Sequence, residues 1–129
     1  MTKISVSVGI IVLDQISKLL VLKYWPQIVS SNNGGAFSLL QNYRYYNLLV
    51  AVLIVLLIVS MIYLKNVRTW PVFLIVAGAT SNLIDRLARS SVVDFIDLEF
   101  FSSFNIADIA ITCGLIWLIW VNIFSSKKA

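Results

Sequence analysis

The segment 45–64 contains no charged side chain and is long enough to cross a lipid bilayer as a helix. A helix that spans a membrane needs roughly 20 mostly apolar residues. Three further segments, at about 4–22, 70–87 and 104–124, meet this requirement. Hydrophobic residues make up 60% of the 129-residue chain and charged residues 12%, whereas a soluble domain has roughly 45–50% and about 25%. Residues 1–129 are therefore predicted to form one all-α membrane domain, a four-transmembrane-helix bundle with short extracytoplasmic loops.

Charged residues predict which way this bundle faces. An even number of spans places both termini on one side of the membrane, together with the loop between the second and third spans. The positive-inside rule makes that side cytoplasmic, because basic residues accumulate there. Acidic residues of the last loop fall on the opposite, external side. The residues concerned are Lys3, Lys65, Arg68, Lys127 and Lys128 on the cytoplasmic side, and Asp94, Asp97 and Glu99 on the external side.

The chain has no histidine and only one cysteine, Cys113. This composition excludes Ser–His and Cys–His nucleophile pairs within the chain and offers no convincing zinc site. Cys113 lies in an apolar run, where a lone cysteine is expected to behave as a small core residue, and a lipidated or reactive thiol is the alternative. No basic run alternates with aromatic residues, so nucleic acid is not an expected partner. Carboxyl groups are the leading candidates for acid–base chemistry.

Two aspartates, Asp94 in Val-Val-Asp-Phe-Ile and Asp108 in Phe-Asn-Ile-Ala-Asp, adjoin predicted membrane helices. A carboxylate near hydrocarbon is costly unless it is neutral, paired or facing a polar cavity. Neither aspartate has a basic residue three or four positions away. Hydrogen bonding between packed helices is one role for such residues. We favour a second role, in which the two carboxyls share a proton, so that one activates water and the other polarises a carbonyl during peptide hydrolysis.

Asp14 and Lys18 are four residues apart, on one face of the first predicted helix. They interrupt an apolar segment that, for this reason, differs from a cleaved signal peptide. A buried ion pair that fixes helix packing is one interpretation, and support for a substrate cavity is another. A third is a Ser–Lys peptidase with Lys18 as the base, although Asp14 favours the charged form of the lysine, which cannot accept a proton.

The third and fourth predicted spans each present a polar strip toward the external side. Either Arg86 or Arg89 is placed to neutralise Asp85 on the third span. Hydrogen bonds between the helices are the alternative role for these strips. The strips consist of Gly78, Asn82 and Asp85 on the third span, and of Asn105, Asp108 and Thr112 on the fourth.

Five short blocks occur in a fixed order along the chain. They are DQISK at 14–18, NNGGAFS at 32–38, Gly78 with NLIDR at 82–86, VDFID at 93–97 and FNIAD at 104–108. Each block alone is weak evidence. Together, on a four-span chain, they resemble the lipoprotein signal peptidase (signal peptidase II) family, which consists of bacterial membrane aspartic proteases.

The resemblance implies an enzyme that removes signal peptides from diacylglyceryl-modified prolipoproteins by cleaving just before the lipidated cysteine. It implies a location in the bacterial cytoplasmic (inner) membrane, with the site at the outer face and with signal peptides and membrane lipid as partners. We expect a monomer without a metal or organic cofactor. The family's catalytic dyad corresponds to Asp94 and Asp108. Its supporting residues correspond to Asp14, Lys18, Asn32, Gly34, Ala36, Asn82, Asp85, Arg86, Asn105 and Ala107.

Two departures from the family pattern concern the extracytoplasmic cradle. Family members usually have a longer segment between the first two blocks, where this chain has only 21–31. We therefore expect a much reduced cradle. Gly35 also stands where alanine is common, and the extra glycine loosens the backbone. Both departures bear on how the substrate is clamped, more than on the chemistry.

Two other classes of function fit parts of the sequence. An ion or proton carrier would use Asp14, Asp85, Asp94 and Asp108 as a relay, with carboxylates distributed through the depth of the membrane. A holin-type structural protein, or a relative that binds lipoproteins without cutting them, would tolerate the loss of Asp94 and Asp108 together.

Overall fold

The computed structural model describes residues 2–32, 49, 52–54, 56–57, 60, 69–98, 100 and 102–125. In chain order they form helix α1 (Lys3–Tyr24), a 3-10 turn (Pro26–Ile28), strand β1 (Ser30–Asn32), helix α2 (Trp70–Arg89), strand β2 (Val92–Asp94) and helix α3 (Ile106–Ser125). The prediction of a mostly helical fold is confirmed. Most of the predicted second span, 45–64, lies outside the described residues, so the count of four spans stays a prediction. Lys65, Arg68, Lys127 and Lys128 also lie outside the described residues.

Local capping explains where α1 and α2 begin and end. The Thr2 hydroxyl accepts the Ser5 amide at 3.2 Å and so starts α1. Helix α2 has Pro71 in its first turn, where the missing N–H costs nothing. It ends at Ser90, which adopts a left-handed conformation with φ 62° and donates its amide to the Arg86 carbonyl. Both helices are long and apolar enough to cross a membrane, judged by length and composition.

The largest fully buried side chains in the described part of the chain are polar or charged. Several apolar side chains are instead exposed, such as Leu87, Ile116 and Trp120. A soluble domain shows the opposite distribution, with charged side chains almost always at the surface. The outer faces of α2 and α3 are therefore suited to contact hydrocarbon. The largest fully buried side chains are Lys18, Asn105, Asp14, Asp85 and Ser81.

Helices α2 and α3 approach one another closely at two glycines. A Cβ added at Gly78 would overlap the Ala107 carbonyl oxygen, and a Cβ at Gly114 would lie 2.7 Å from the Pro71 carbonyl oxygen. Small residues allow such contacts between membrane helices, where van der Waals packing replaces the hydrophobic effect. Cys113 is exposed, so the prediction that it belongs to the core is wrong. Cys113 directly precedes Gly114 and lies outside the face of α3 that packs against α2.

Replacing Gly78 by alanine is expected to destabilise the protein by about 1–3 kcal/mol, since the added methyl has no space beside Ala107. Thermal unfolding in detergent measures this as a lower midpoint. Gly9→Ala is the matched control, because nothing lies within 4 Å of a Cβ at Gly9 on α1. Removing that glycine from a helix is expected to raise stability by about 0.5–1 kcal/mol. An unchanged midpoint in Gly78→Ala would contradict the close packing.

A short antiparallel sheet of two strands accompanies the helices in the described part of the chain. Strands β1 and β2 pair with Ser30 opposite Asp94, and the Ile96 and Phe104 backbones then exchange hydrogen bonds at 2.9 Å in both directions. Because Phe104 is held in this bridge, α3 begins at Ile106, two residues after the predicted start of the last span. Residues 92–94 thus form a strand, whose pairing supplies the backbone hydrogen bonds that burial requires.

Candidate active site

Strand β2 carries Asp94 into the interior, directly after α2. Asp85 on α2 accepts the Val93 amide on Oδ2 at 3.2 Å, which ties the strand to the helix. Asp94 is only 2% exposed. Its Oδ1 accepts a hydrogen bond from Asn105 Nδ2 at 2.7 Å. The carboxyl is therefore buried and held by a named donor at the start of α3.

Asp108 lies in the first turn of α3, where it forms a capping box with Asn105. The Asn105 amide donates to Asp108 Oδ2 at 3.1 Å, and the Asp108 amide donates to Asn105 Oδ1 at 2.9 Å. This reciprocal pair satisfies two N–H groups that have no partner at a helix start. The start of the helix thus fixes the Asp108 side chain, and Asn105 contacts both aspartates.

Asn82 on α2 provides a second link at the same place. Its Nδ2 donates to Asp108 Oδ1 at 2.8 Å, and its Oδ1 accepts from Asn105 Nδ2 at 3.1 Å. Both asparagines are buried. The two aspartates are therefore connected through two buried amides, and such a network holds its members in one arrangement when each has its partners.

A buried group of charges adjoins Asn82. Lys18 Nζ lies 2.6 Å from Asp14 Oδ2 and 2.8 Å from Asp85 Oδ2, and it donates to Asn82 Oδ1 at 3.1 Å. Arg89 Nη1 lies 2.6 Å from Asp85 Oδ1. Two acids and two bases therefore balance one another, which offsets the cost of removing charge from water. Among the described residues, no three acidic or cysteine side chains are grouped to hold a metal ion.

Asp14 connects α1 to the start of α3. Its Oδ1 accepts the Ala107 amide at 2.9 Å, and its Oδ2 accepts from Ser81 Oγ at 2.7 Å. The Ala107 amide belongs to the first turn of α3, whose N–H groups have no partner within the helix. Asp14 therefore caps a helix other than its own, and the helix dipole favours a negative charge at this end.

Comparison with known proteins assigns this arrangement to a family. The sequence model described as Signal peptidase (SPase) II matches residues 6–124. The chain belongs to the signal peptidase II family. Two curated relatives named lipoprotein signal peptidase agree with this. The one from Caldicellulosiruptor bescii is 36% identical over 121 residues, covering 83% of this chain and 81% of the relative. The one from Caldanaerobacter subterraneus subsp. tengcongensis is 37% identical over 132 residues, covering 89% and 91%.

A solved structure of a membrane enzyme has a similar fold. It is a bacterial membrane enzyme determined by the in meso method at 2.3 Å resolution. It superposes on this chain with a TM-score of 0.85 at 26% identity, covering 98% of this chain and 91% of the other. The predicted family, the signal peptidase II type of enzyme and the membrane setting are therefore confirmed.

In the described part of the chain, most of the predicted site residues lie in one hydrogen-bonded cluster, although their roles stay predictions. Arg86 is buried, and its Nη1 donates to the Asn82 carbonyl at 3.4 Å. Asn32 pairs with Val92 through the backbone of the sheet. The Asn32 side chain, Gly34 and Ala36 lie outside the described residues. The residues of the cluster are Asp14, Lys18, Asn82, Asp85, Asp94, Asn105, Ala107 and Asp108.

Two residues that complete the cluster, Gln15 and Ser81, are not among the predicted site residues. Gln15 Nε2 donates to Asp85 Oδ1 and to Ser81 Oγ, both at 3.0 Å. Ser81 had a recognisable signal, because it lies four residues before Asp85 and so on the same helix face. Gln15 stands in DQISK at 14–18, the first of the five blocks, and that block is its signal in the sequence. Of the two arginines considered for Asp85, Arg89 makes the ion pair at 2.6 Å.

The polar strip predicted on the last span is shorter than expected. Thr112 is exposed, so its place beside Asn105 and Asp108 is wrong. The buried face of α3 follows Ala107, Ala110 and Gly114. Asp108 lies at the edge of this buried face. Thr112, one turn later, lies beyond that edge and is exposed.

Proposed function

We propose that this chain is a membrane aspartic endopeptidase that removes signal peptides from diacylglyceryl-modified prolipoproteins, with Asp94 and Asp108 as its catalytic dyad. The observation that carries the proposal is the position of Asn105, whose side chain bonds to the Asp94 carboxyl and to the Asp108 backbone. A dyad that shares one proton needs both carboxyls in one site, and the amides of Asn82 and Asn105 hold Asp94 and Asp108 in the same hydrogen-bonded cluster. Membership of the signal peptidase II family supplies the substrate class.

In the proposed reaction, Asp94 and Asp108 bind one water molecule and share one proton. The ionised carboxyl takes a proton from the water, whose oxygen attacks the carbonyl carbon before the lipidated cysteine. The protonated carboxyl gives its proton to the carbonyl oxygen, which leaves a neutral tetrahedral intermediate. When the C–N bond breaks, the leaving nitrogen takes the first carboxyl's proton and the second carboxyl regains one from the intermediate. Both carboxyls return to their starting states without a covalent intermediate.

The surroundings of Lys18 support this chemistry over a Ser–Lys mechanism. Lys18 Nζ contacts Asp14 and Asp85 and donates to Asn82. An amine that donates three hydrogens has no lone pair with which to accept a proton from a nucleophile. Asp14 and Asp85 are also paired with Lys18 and Arg89. They lie in one cluster with the proposed dyad, whereas a proton relay would distribute its carboxylates through the depth of the membrane.

We place the dyad at the outer face of the bacterial cytoplasmic membrane, with both termini in the cytoplasm. The chain leaves the end of α1 into β1, which pairs with the strand that carries Asp94. The site therefore lies at the opposite end of α1 from Lys3, whose charge favours the cytoplasmic side. A lipid-anchored cysteine presents its peptide bond at the membrane surface, where this end of the bundle would lie. Both aspartates come from one chain, so a monomer suffices.

The experiment compares two forms of one substrate. The purified protein in detergent is given a prolipoprotein whose cysteine carries diacylglyceryl and the same polypeptide without the lipid, and mass spectrometry identifies the products. We expect one cut, immediately before the cysteine, in the lipidated form only. Binding of the lipidated form without cleavage would favour the non-cutting relative. A pH-dependent proton flux in liposomes without any cleavage would favour the carrier.

A further inference from the structure

We propose that Lys18 is a positioning residue that fixes the orientation of the Asn82 side-chain amide and thereby keeps an N–H donor directed at Asp108. The inference rests on the proposed catalytic function of Asp108. It assigns Lys18 an effect on the reaction beyond the ion pairs that it forms with Asp14 and Asp85.

Each N–H donor of Lys18 has an acceptor within reach. A lysine ammonium has three N–H donors and no acceptor. Among the described residues, three acceptors lie within reach of Nζ: Asp14 Oδ2 at 2.6 Å, Asp85 Oδ2 at 2.8 Å and Asn82 Oδ1 at 3.1 Å. The first two are carboxylate oxygens, and the third is the amide oxygen of Asn82. Lys18 is fully buried, so water does not compete for these donors.

The two ends of the Asn82 amide differ, because the oxygen accepts hydrogen bonds and the nitrogen donates them. If Asn82 were rotated to exchange its oxygen and nitrogen, an NH₂ group would face the Lys18 ammonium at about the distance now occupied by Oδ1, donor against donor. The amide oxygen would then face Asp108 Oδ1, where Nδ2 now donates at 2.8 Å. Lys18 excludes this rotated state, and it does so through a contact that does not involve Asp108.

The contact between Lys18 and Asn82 does not involve Asp108, which gains and loses a proton during the proposed reaction. An ionised carboxyl accepts from Asn82 Nδ2, but a protonated carboxyl is able to donate to an amide oxygen. Asp108 alone would therefore permit both orientations of Asn82 in turn. The contact between Lys18 Nζ and Asn82 Oδ1 is made without Asp108, so Asn82 stays a donor throughout the cycle.

The same contact extends to Asp94. Asn82 Oδ1 accepts from Lys18 Nζ and also from Asn105 Nδ2 at 3.1 Å. Asn105 Nδ2 in turn donates to Asp94 Oδ1 at 2.7 Å. Rotation of Asn82 would turn a donor toward Asn105 Nδ2 and weaken its hold on Asp94. Lys18 thus influences the positions of both carboxyls through one amide.

The test is a double-mutant cycle on kcat for cleavage of the lipidated prolipoprotein. We expect Lys18→Met to lower kcat about 10-fold with KM changed by less than about 2-fold, the loss typical of a supporting partner. In the Asn82→Ala background, we expect Lys18→Met to cost less than about 2-fold, because the amide through which it acts is gone. Equal factors in both backgrounds would overturn the proposal.

Arg89→Met is the matched control. It removes a second cation from Asp85, 2.6 Å away, and no contact between Arg89 and Asn82 is among those of the described residues. Its effect on kcat is expected to be the same factor with and without Asn82. If Lys18→Met does not yield folded protein, Lys18→Met/Asp14→Asn removes both charges of the pair and retains an acceptor for the Ala107 amide.

A measurement without activity separates this proposal from the proposed function. In Asp108→Ala, protein labelled with [15N]asparagine is expected to keep nuclear Overhauser contacts between the Asn82 NH₂ hydrogens and the first turn of α3, because Lys18 still fixes the amide. Loss of these contacts would show that Asp108 sets the orientation and would overturn the inference about Lys18. Retained cleavage in Asp94→Asn and Asp108→Asn would instead contradict the dyad, whatever the spectra show.

Discussion

Asp108→Asn and Asp94→Asn are each expected to lower kcat for prolipoprotein cleavage by about 10²–10⁴-fold, the range that general acid–base catalysis contributes. Asparagine has nearly the shape of aspartate but cannot exchange a proton with water or substrate. The Asn82 and Asn105 contacts to these side chains make the fold sensitive to size at both sites, which is why asparagine is chosen over alanine. The initial rate of product formation, measured by mass spectrometry at saturating lipidated substrate, gives kcat.

Two control variants test whether the loss of a nearby carboxylate is enough to lower kcat and whether Asp94 and Asp108 act as a unit. Asp97→Asn removes an exposed carboxylate three residues from Asp94 and is expected to leave kcat within about 2-fold, since surface substitutions have small effects. The double variant Asp94→Asn/Asp108→Asn is expected to be about as slow as the slower single variant, because residues that act as a unit are not additive. Near wild-type kcat in either single variant would show that the dyad assignment is wrong.

The buried polar side chains also explain how this protein is held together. Between membrane helices there is little hydrophobic driving force, since lipid tails are as apolar as leucine. Packing at Gly78 and Gly114 and the hydrogen bonds around Asp14 and Asp85 take its place. The groups that prepare the site for chemistry are thus the same groups that join α1, α2 and α3, so substitutions in this cluster are expected to affect stability and activity together.

The sequence predicts the parts of this fold that depend on composition and local spacing. Apolar runs locate α1 and α2 to within about two residues at each end, because helix length in a membrane is set by hydrocarbon thickness. The i, i+4 spacing of Asp14 and Lys18 predicts the ion pair found at 2.6 Å. The family resemblance named the residues that the structure gathers around Asp94 and Asp108.

Contacts between distant segments were not predictable in the same way. Asp14 caps the Ala107 amide across 93 positions of sequence, and no local pattern encodes that distance. The strand Ser30–Asn32 has neither alternation nor β-branched residues, so only its partner β2 makes it a strand. The capping box of Asn105 and Asp108 did have a local signature, an N-cap residue followed three positions later by an acid. The same spacing also fits a polar strip on one helix face.

Asn105 is expected to affect activity and stability through different atoms. Its Nδ2 donates to Asp94, while its Oδ1 caps α3 by accepting the Asp108 amide. Serine keeps an oxygen at the N-cap but has no amide nitrogen to reach Asp94. Both Asn105→Ser and Asn105→Ala are therefore expected to lower kcat by about 10–100-fold. Only alanine also loses the cap, so Asn105→Ala should be less stable than Asn105→Ser by about 0.5–2 kcal/mol.

Thermal unfolding in detergent and the cleavage assay separate the two roles of Asn105. If the Nδ2 contact to Asp94 positions the dyad, the two variants share a low kcat although their unfolding midpoints differ. If Asn105 serves only as a cap, kcat follows the midpoint, and Asn105→Ser cleaves at a rate close to that of the unaltered protein. The second pattern would contradict the placement of Asn105 between the two carboxyls and would leave Asn82 as the remaining amide contact to the dyad.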